Sequence, residues 1–404
     1  MNVLIWRGFV PAFREGLTFS TLEVRGVGGT EAQALLHAAN LQALGHRVQV
    51  LGLTAESVTE QEIEFVGTSS QESQAAAIRD GRISPPAVVF LEGAYHGAEW
   101  LRATFPSAKI VHVGQNIDRH AAGRALAQAP YVDRFAFVSV GHFADYCIRR
   151  PDLRHKFALV RNAVAWEAFH SQVPRATVAE KVVWVGSWQK KGLRTWFEVM
   201  ARLLADRPET SWTLCGPQYS SDEAALPRHL HAGLSLPWDR IRVVSLPLRQ
   251  LLSEIASARA VIASLGDETA GISTLDAHAM GRPVITGNDI VYKFVNPDGT
   301  GLRVSRRGDA YDALSFLMSN PEAGDQLGAA GQAFVRNEYS AVNQKQDLQS
   351  LVHVLTGGTG WGDVPSYPAP TKWAEWSGNF WETARRRWRR LIAVASGAES
   401  FRRL

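Results

Sequence analysis

The chain has 404 residues, of which 46% are apolar and 20% are charged, and its formal net charge is +4. This composition is that of an ordinary globular protein, so it excludes a predominantly disordered chain, and the length favours two large domains over one. The charge is uneven, because eight basic and three acidic side chains give residues 371–404 a charge of +5 and leave −1 for the rest. A near-neutral body argues against nucleic acid as a partner.

The two cysteines, Cys147 and Cys215, exclude a disulfide framework and argue against a cysteine-based metal site. The N-terminal apolar run is broken at Arg7, which makes it too short for the core of a signal peptide. No stretch of about 18 apolar residues is present, so the sequence predicts no membrane span. We expect a cytoplasmic protein that is soluble or peripheral to a membrane.

The first 165 residues alternate short apolar runs with helical patterns. A helix is predicted over 30–44, with Thr30 as its cap and Gly45 at its end. The predicted strands are 3–6, 48–53, 88–91, 109–113 and 135–140. This alternation indicates βαβ units and a parallel sheet.

The pattern restarts after a polar junction near residues 165–180. A helix is predicted over 193–205, and the predicted strands are 182–185, 212–215, 242–245, 261–263, 284–285 and 302–304. Residues 356–370 are rich in Gly and Pro and are interpreted as a linker. Two parallel sheets that face each other bind ligands at the carboxyl ends of their strands, so the candidate residues are sought in the loops after strands.

A glycine-rich loop, Gly26-Val27-Gly28-Gly29, precedes the first predicted helix. Glycine lets a backbone approach a phosphate closely, and a helix N-terminus offers free N–H groups. Gly28 and Gly29 are therefore candidate phosphate-binding residues. The alternative is a tight turn that serves only the fold, because the strict dinucleotide fingerprint is absent.

A second loop follows the predicted strand 182–185 and runs Gly186-Ser187-Trp188-Gln189-Lys190-Lys191-Gly192. Two lysines at the carboxyl end of a parallel strand can pair with a diphosphate. The alternative is a solvated basic loop.

The most informative segment runs from Glu268 to Asp276. Ser273 is predicted to cap a helix that carries Asp276 at its third position, similar to a capping box. Glu268 can hydrogen-bond sugar hydroxyls from the loop, and Asp276 can bind a ribose diol while exposed N–H groups bind phosphate. The alternative for Asp276 is a capping role alone.

Taken in order, these segments resemble the retaining, nucleotide-sugar-dependent glycosyltransferases of the GT-B fold, family 4 (glycosyl transferases group 1). Residues 268–276 resemble the family's Glu-x7-Glu signature with Asp in the second position, and residues 183–192 resemble its strand–Gly–Arg–Lys–Gly segment. Further matches stand in the same order at Gly28-Gly29-Thr30-Glu31, Val160-Arg161-Asn162-Ala163-Val164, Gly281-Arg282-Pro283-Val284-Ile285 and Asn337-Glu338-Tyr339-Ser340. The resemblance covers about residues 1–355.

The resemblance implies an α/β protein with two Rossmann-like parallel-sheet domains that face each other across a cleft. Residues 1–165 would be the acceptor-side domain and 166–355 the domain that binds the nucleotide sugar. Residues 356–404 would form the linker and a basic tail rich in Trp and Arg.

The resemblance also assigns roles to individual residues. Lys191 would neutralise the donor diphosphate, and Glu268 would hold the transferred sugar. The catalytic candidates are Glu268, Lys191 and Gln115, and the donor-binding candidates are Gly28, Gly29, Gly186, Lys190, Gly271, Ile272, Ser273 and Asp276. Family members usually need no metal, so no metal and no cofactor are expected, with the nucleotide-diphospho-sugar as co-substrate.

Three positions depart from the family pattern. Ser187 replaces a phosphate-binding Arg, and Asp276 is one methylene shorter than Glu. Gln115 stands where many members have an active-site His. It can hydrogen-bond the donor sugar but cannot act as a base, which is compatible with a leaving phosphate that accepts the acceptor's proton. His112, three residues earlier, is interpreted as structural, and His142 and His278 as surface or hydrogen-bonded core residues.

The tail carries its own alternatives. Arg385 to Arg390 surround Trp388, a composition that suits an anionic membrane surface. The same residues are also compatible with a C-terminal helix that packs back on the first domain, and the two roles do not exclude each other.

The sequence therefore predicts a hexosyltransferase-type enzyme that transfers a sugar, with retention, from a nucleotide-diphospho-sugar to a hydroxyl of a glycan or glycolipid. The expected setting is synthesis of cell-envelope polysaccharide or exopolysaccharide, on the inner face of the membrane if the tail binds lipid. Two alternatives remain open: a non-catalytic protein that binds a sugar nucleotide, and a nucleotide-sugar epimerase on the same fold.

Overall fold

The computed structural model describes two parallel α/β units. It covers residues 1–8, 16–22, 29–93, 97–115, 126–165, 169–173, 179–186, 192–216, 226, 228–266 and 269–357. No helix among these residues is long and apolar enough to cross a membrane.

The first unit is built on an eight-stranded sheet with the order β3-β4-β2-β1-β5-β6-β7-β8. All neighbouring strands are parallel except β3 and β4. Its strands are β1 Asn2–Trp6, β2 Arg47–Leu51, β3 Val58–Glu60, β4 Ile63–Val66, β5 Val88–Glu92, β6 Lys109–Gly114, β7 Arg134–Phe137 and β8 Phe157–Leu159. The described helices are α1 Phe19–Leu22, α2 Gly29–Gln42, α3 Gln71–Arg79, α4 Ala98–Thr104 and α5 Val140–Arg149.

The second unit is built on a six-stranded, wholly parallel sheet with the order β11-β10-β9-β12-β13-β14. Its strands are β9 Lys181–Val185, β10 Ser211–Cys215, β11 Ile241–Val244, β12 Ala260–Ile262, β13 Val284–Gly287 and β14 Leu302–Val304. Its helices are α6 Leu193–Asp206, α7 Leu248–Ala256, α8 Ile272–Ala279, α9 Tyr292–Val295, α10 Arg307–Ser319, α11 Pro321–Glu338 and α12 Ala341–Leu355.

The continuous apolar runs became central parallel strands because such strands are covered by helices on both faces. All five residues of β5 are buried, and so are residues 3–6 of β1. The prediction of parallel α/β units is thereby confirmed. The predicted strand 135–140 is wrong at its end, since β7 stops at Phe137. Ser139 caps α5 by accepting a hydrogen bond from the His142 N–H at 3.2 Å, so Val140 begins a helix.

The two units share a third apolar cluster. Val164, from the segment after β8, packs with Tyr292 of α9 and Tyr339. At the same place, a Cβ on Gly141 of α5 would lie 2.8 Å from the Cα of Val291, so these backbones approach closely. The units therefore meet along a packed contact.

The chain returns to the first unit at α12. Gln344 Nε2 donates to Arg161 O at 2.9 Å, and the Arg161 guanidinium pairs with Asp347 at 2.8 Å. Asn40 of α2 donates to Gln344 Oε1 at 2.8 Å. The predicted domain boundaries at 165 and 355 stay predictions, and the predicted return of the tail lies in residues 358–404, outside the described residues.

Candidate active site

Polar side chains follow several strands of the first sheet at its carboxyl edge. Arg7 follows β1, Glu92 ends β5, Gln115 follows β6, Ser139 follows β7 and Asn162 follows β8. Because the carboxyl ends of parallel strands lie along one edge of a sheet, these residues share a side of the unit.

Arg7 ties this edge to the first turn of α2. Its guanidinium donates to Glu31 at 2.9 Å and to the backbone oxygen of Glu92 at 3.0 Å. The Glu92 carboxylate is fully buried, and its Oε1 lies 2.6 Å from Nδ1 of His37, which is also fully buried. The ion pair and the His–Glu contact hold α2 against β1 and β5.

Gln115 is buried within this polar network. Its Oε1 accepts from Asn162 Nδ2 at 3.1 Å, and its Nε2 lies 3.5 Å from Glu92 Oε2, at the limit of a hydrogen bond. The carbonyl of the side chain is thus engaged, whereas the amide still has an N–H to donate. The predicted contact of Gln115 with a donor sugar stays a prediction.

The loop between β12 and α8 contacts this edge directly. Thr269 Oγ1 donates to the backbone oxygen of Gln115 at 3.0 Å, and Ser139 Oγ donates to the backbone oxygen of Thr269. Two loops of the first sheet therefore hold the loop that leads into α8.

The N-terminus of α8 differs from its sequence prediction. Gly271 is the N-cap residue, with φ of 54°, and no side chain caps the helix. The prediction of Ser273 as the cap is wrong, because the left-handed turn at Gly271 starts the helix two residues earlier. Asp276 is consequently the fifth residue of α8 and not the third. The N–H groups of Ile272 and Ser273 belong to the first turn, where a helix has no internal acceptors.

The N-termini of α2 and α8 converge. A Cβ on Gly29 would lie 2.8 Å from Ile272 Cγ1, which leaves room only for glycine. Helix N-termini carry a partial positive charge and free N–H groups, so their convergence suits an anionic group.

α8 itself is held from behind by glycines of α11. A Cβ on Gly328 would lie 2.1 Å from the backbone oxygen of Gly281, and one on Gly331 would lie 2.3 Å from His278 Nδ1. The backbone of α11 therefore packs directly against α8 and the turn that follows it, which fixes the position of α8 and of its N-terminus.

Asp276 is paired with a residue that sequence analysis missed. His170 Nε2 lies 2.9 Å from Asp276 Oδ1, and the two side chains are 3% and 9% exposed. His170 belongs to the 3-10 turn 170–172 in the chain segment between the two sheets. No sequence pattern placed it near Asp276, because 106 residues separate the two.

A cavity of about 680 Å³ lies beside this pair, between α2 and the second unit. Asp276, His170, Ile272 and Leu248 line one side. The other lining residues include Leu35, Leu36 and Ala39 of α2, Phe19 and Ser20 of α1, and Glu60 of β3. A cavity of this size can hold a small organic ligand.

Burial rather than catalysis governs the strongest pKa shifts among the described residues. Desolvation, with a smaller effect of nearby His112, lowers the pKa of His142 to about 3. Both ring nitrogens of His142 lack a hydrogen-bond partner within the described structure, so the prediction of a surface or hydrogen-bonded histidine is wrong there. Burial raises the pKa of the Cys215 thiol to about 12, which keeps it protonated.

Several candidate residues lie outside the described residues: Gly28, Ser187, Lys190, Lys191 and Glu268. The structure describes residues on either side of these segments. Gly186 follows β9 and donates its N–H to Cys215 O at 3.0 Å, and Gly192 begins the turn into α6 with φ of 67°. Gly266 follows β12, and Thr269 precedes α8.

Sequence reasoning missed the contacts that join the two edges. Ser139 and Thr269 look like ordinary loop residues in the sequence, and Glu92 ends a strand that was predicted one residue too short. An acidic residue at the carboxyl end of an apolar strand was the one available signal, since burying a carboxylate there requires a partner.

Residues 179–320, which span the second sheet, match the family model described as Glycosyl transferases group 1. A comparison with curated proteins gives no match. A sucrose-phosphate synthase from Thermosynechococcus elongatus has the same fold, with a TM-score of 0.68 and 16% identity over 88% of this chain and 99% of that one.

Two further solved structures share the fold. The Anabaena protein HepE in complex with UDP-glucose gives a TM-score of 0.64 at 12% identity, over 88% of this chain and 100% of that one. WaaG, a glycosyltransferase involved in lipopolysaccharide biosynthesis, gives 0.61 at 15% identity, over 88% and 100%. The chain thus has the predicted GT-B fold, and its match to group 1 over residues 179–320 supports a glycosyltransferase.

Proposed function

We propose that the protein is a retaining, metal-independent hexosyltransferase that moves a sugar from a nucleotide-diphospho-sugar to a hydroxyl of a glycan or glycolipid. One observation carries the proposal: the N-terminus of α8, which follows β12, meets Gly29 of α2 beside the carboxyl edge of the first sheet. That helix lies within the segment that matches group 1 glycosyltransferases.

The chemistry requires charge stabilisation at this point. Glycosyl transfer releases a nucleoside diphosphate, and the negative charge that grows on the leaving oxygen must be stabilised in the transition state. The free N–H groups of Ile272 and Ser273, together with Lys191 and Lys190, would supply this stabilisation. Glu268, which precedes the loop held by Ser139 and Gln115, would bind the transferred sugar.

The donor and the acceptor are proposed from the solved structures that share the fold. HepE was solved with UDP-glucose, so a UDP-sugar is the first donor to test. WaaG acts in lipopolysaccharide biosynthesis, which agrees with an acceptor from the cell envelope. The basic tail would place the enzyme on the inner face of the membrane, where such acceptors are built.

A non-catalytic, nucleotide-binding role is the second candidate. It is favoured by the state of one catalytic candidate, because the side-chain carbonyl of Gln115 is already bonded to Asn162. Such a protein would bind the donor and never turn it over.

A thermal-shift panel with UDP, GDP, ADP, CDP and dTDP tests the donor site. A ligand at about 100 times its Kd stabilises the folded state by about 2.7 kcal/mol, which corresponds to several degrees for a domain of this size. One nucleotide that stands out would establish the site and the base. No shift with any of the five would remove the proposed function.

Hydrolysis of the matching donor separates an enzyme from a binding protein. An active transferase hydrolyses its donor slowly without acceptor, whereas a non-catalytic protein only binds it. Glu268→Ala is expected to abolish hydrolysis and transfer while the thermal transition of the unliganded protein stays unchanged. Glu268→Gln is the matched variant that retains the shape and loses the charge.

A further inference from the structure

His170 is a buried histidine on the segment that connects the two sheets, and the proposed chemistry leaves it without a role. Its imidazole lies between the backbone oxygen of Ala165, 3.2 Å from Nδ1, and the Asp276 carboxylate, 2.9 Å from Nε2. We propose that His170 is a positioning residue that orients the Asp276 carboxylate toward the ribose hydroxyls of the donor nucleotide. This inference rests on the proposed function.

The chemistry of its two partners defines what the imidazole does in this contact. A backbone carbonyl oxygen only accepts hydrogen bonds, and so does an ionised carboxylate. The ring nitrogen that faces Asp276 therefore has to supply the hydrogen, so Nε2–H donates to Asp276 Oδ1. The arrangement thus places an N–H donor against the Asp276 carboxylate.

This pairing solves a problem that Asp276 would otherwise face. A carboxylate that is only 9% exposed is costly to bury without a partner. The His170 N–H binds one oxygen of the carboxylate and leaves the other oxygen to accept from a ligand.

The contact also fixes which carboxylate oxygen is left for a ligand. His170 contacts Oδ1, and no other hydrogen bond to this carboxylate is present within the described ranges. Oδ2 is therefore the acceptor for ribose hydroxyls, and both residues line the cavity of about 680 Å³. Asp276 is one methylene shorter than Glu. Its reach toward the ribose hydroxyls therefore depends more on the orientation of the carboxylate.

The turn that carries His170 is anchored to the second unit by a separate contact. Gln172 Oε1 accepts from the Arg249 guanidinium of α7 at 2.8 Å. Gln172→Ala therefore loosens the same turn and leaves the imidazole and its carboxylate in place. It is the matched control for any replacement of His170.

The experiment compares ribonucleotides with their dideoxy forms on the full-length protein. The probe is the nucleoside diphosphate that gives the largest thermal shift, and its affinity is measured by calorimetry next to that of the 2′,3′-dideoxy nucleotide. His170→Leu is expected to weaken the ribonucleotide about tenfold, the effect of one hydrogen bond, and to change the dideoxy form less than twofold. His170→Gln, whose amide can still donate to Asp276, is expected to recover part of the loss, and Gln172→Ala to leave the ribo-to-dideoxy ratio unchanged.

A double-mutant cycle with Asp276→Ala completes the test. If His170 acts through Asp276, His170→Leu causes no further loss of ribonucleotide affinity once Asp276 is Ala. Equal losses for ribo and dideoxy forms, or a full further loss in the Asp276→Ala background, would overturn the positioning role and leave His170 a structural residue. A wild-type protein that binds no nucleotide would instead refute the proposed function. This outcome is known from the wild-type protein alone, so the two failures are distinguishable.

Discussion

Gly29 and Ile272 meet where the first turns of α2 and α8 converge. A Cβ on Gly29 would lie 2.8 Å from Ile272 Cγ1 and 3.1 Å from Ile272 Cβ. Ile272 is β-branched, so its Cβ and Cγ1 move little without movement of the helix itself. The missing side chain of Gly29 therefore sets how closely the two helix N-termini approach.

Gly29→Ala should push the two helices apart. We expect a loss of about 1–3 kcal/mol in the free energy of unfolding, the usual cost of overpacking, and a clear loss of donor hydrolysis. Urea unfolding and hydrolysis assays measure the two effects. Gly308→Ala is the control, because nothing lies within 4 Å of its Cβ, and it should be neutral or stabilising by up to about 1 kcal/mol. Adding Ile272→Ala to Gly29→Ala should restore both the stability and the donor hydrolysis. If Gly29→Ala alone equals the wild type in both, this contact does not set the distance between the two helix N-termini.

Thr269→Val should weaken the contact between the two sheet edges. The change removes the hydrogen bond from Thr269 Oγ1 to Gln115 O and leaves that carbonyl oxygen without a partner among the described residues. We expect a loss of about 1 kcal/mol in the free energy of unfolding and a several-fold lower kcat, with an unchanged Kd for the nucleotide.

Thr210→Val is the matched control for that variant. The Thr210 side chain is fully buried, and its hydroxyl has no hydrogen-bond partner in the described parts of the chain. Replacing an unsatisfied hydroxyl by a methyl group should be neutral or stabilising. If Thr269→Val behaves like Thr210→Val, the contact with Gln115 contributes nothing.

Lys191→Ala should lower the affinity for the nucleoside diphosphate. A charge-assisted hydrogen bond is worth about 1.5–3 kcal/mol, so the Kd should rise at least tenfold. Lys190→Ala, the adjacent lysine, should have the smaller effect if Lys191 is the phosphate ligand. Calorimetry on both variants decides between them, and unchanged affinity in both would place the phosphate site elsewhere.

Acid should destabilise the protein through His142. Burial holds the pKa of this imidazole at about 3, below the ordinary 6.5 that it regains on unfolding. Between these values the unfolded state binds more protons, so the free energy of unfolding falls as the pH drops from 6.5 toward 3.

His142→Phe should flatten this dependence by up to about 1.4 kcal/mol per pH unit. Phe keeps an aromatic ring against Phe137 and Tyr146, whose centroids lie 4.9 and 5.1 Å from the His142 ring. Urea unfolding at several pH values between 7 and 4.5 measures the slope, and the exposed His353→Phe serves as control. An unchanged slope in His142→Phe would assign the acid sensitivity to other groups.

Local patterns predicted most of the two sheets because central parallel strands are apolar on both faces. β1, β5, β9 and β12 were all predicted within one residue at each end. β3 and β4 were missed because an antiparallel edge pair alternates exposed and buried residues, as Glu64 does between Ile63 and Phe65. β8 was also missed, although it is no shorter than β12 and β14, which were predicted.

The candidate site was predictable only where a single segment carries its own geometry. The loop 268–276 could be recognised as a strand–loop–helix unit, yet its cap was wrong because Gly271 competes with Ser273 for the start of the helix. The pairs Thr269–Gln115 and His170–Asp276 join residues 154 and 106 positions apart. Such pairs depend on how two packed units meet, and no local propensity encodes this.

Deletion of residues 371–404 tests whether the basic tail binds a membrane. Its charge of +5 should attract an anionic surface by about 1 kcal/mol per basic residue near the lipid, and its four tryptophans suit the interface. The full chain is expected to sediment with vesicles that contain phosphatidylserine and not with phosphatidylcholine alone, and added salt should release it.

The truncated chain should lose this binding and keep its nucleotide-induced thermal shift, because the proposed donor site lies within residues 1–357. The matched variant replaces the five arginines between 385 and 390 by Gln, because this change keeps the tryptophans and removes the positive charge. Equal vesicle binding by full-length and truncated chains would place the membrane contact outside the tail, and loss of the nucleotide shift on truncation would mean that the tail supports the donor site.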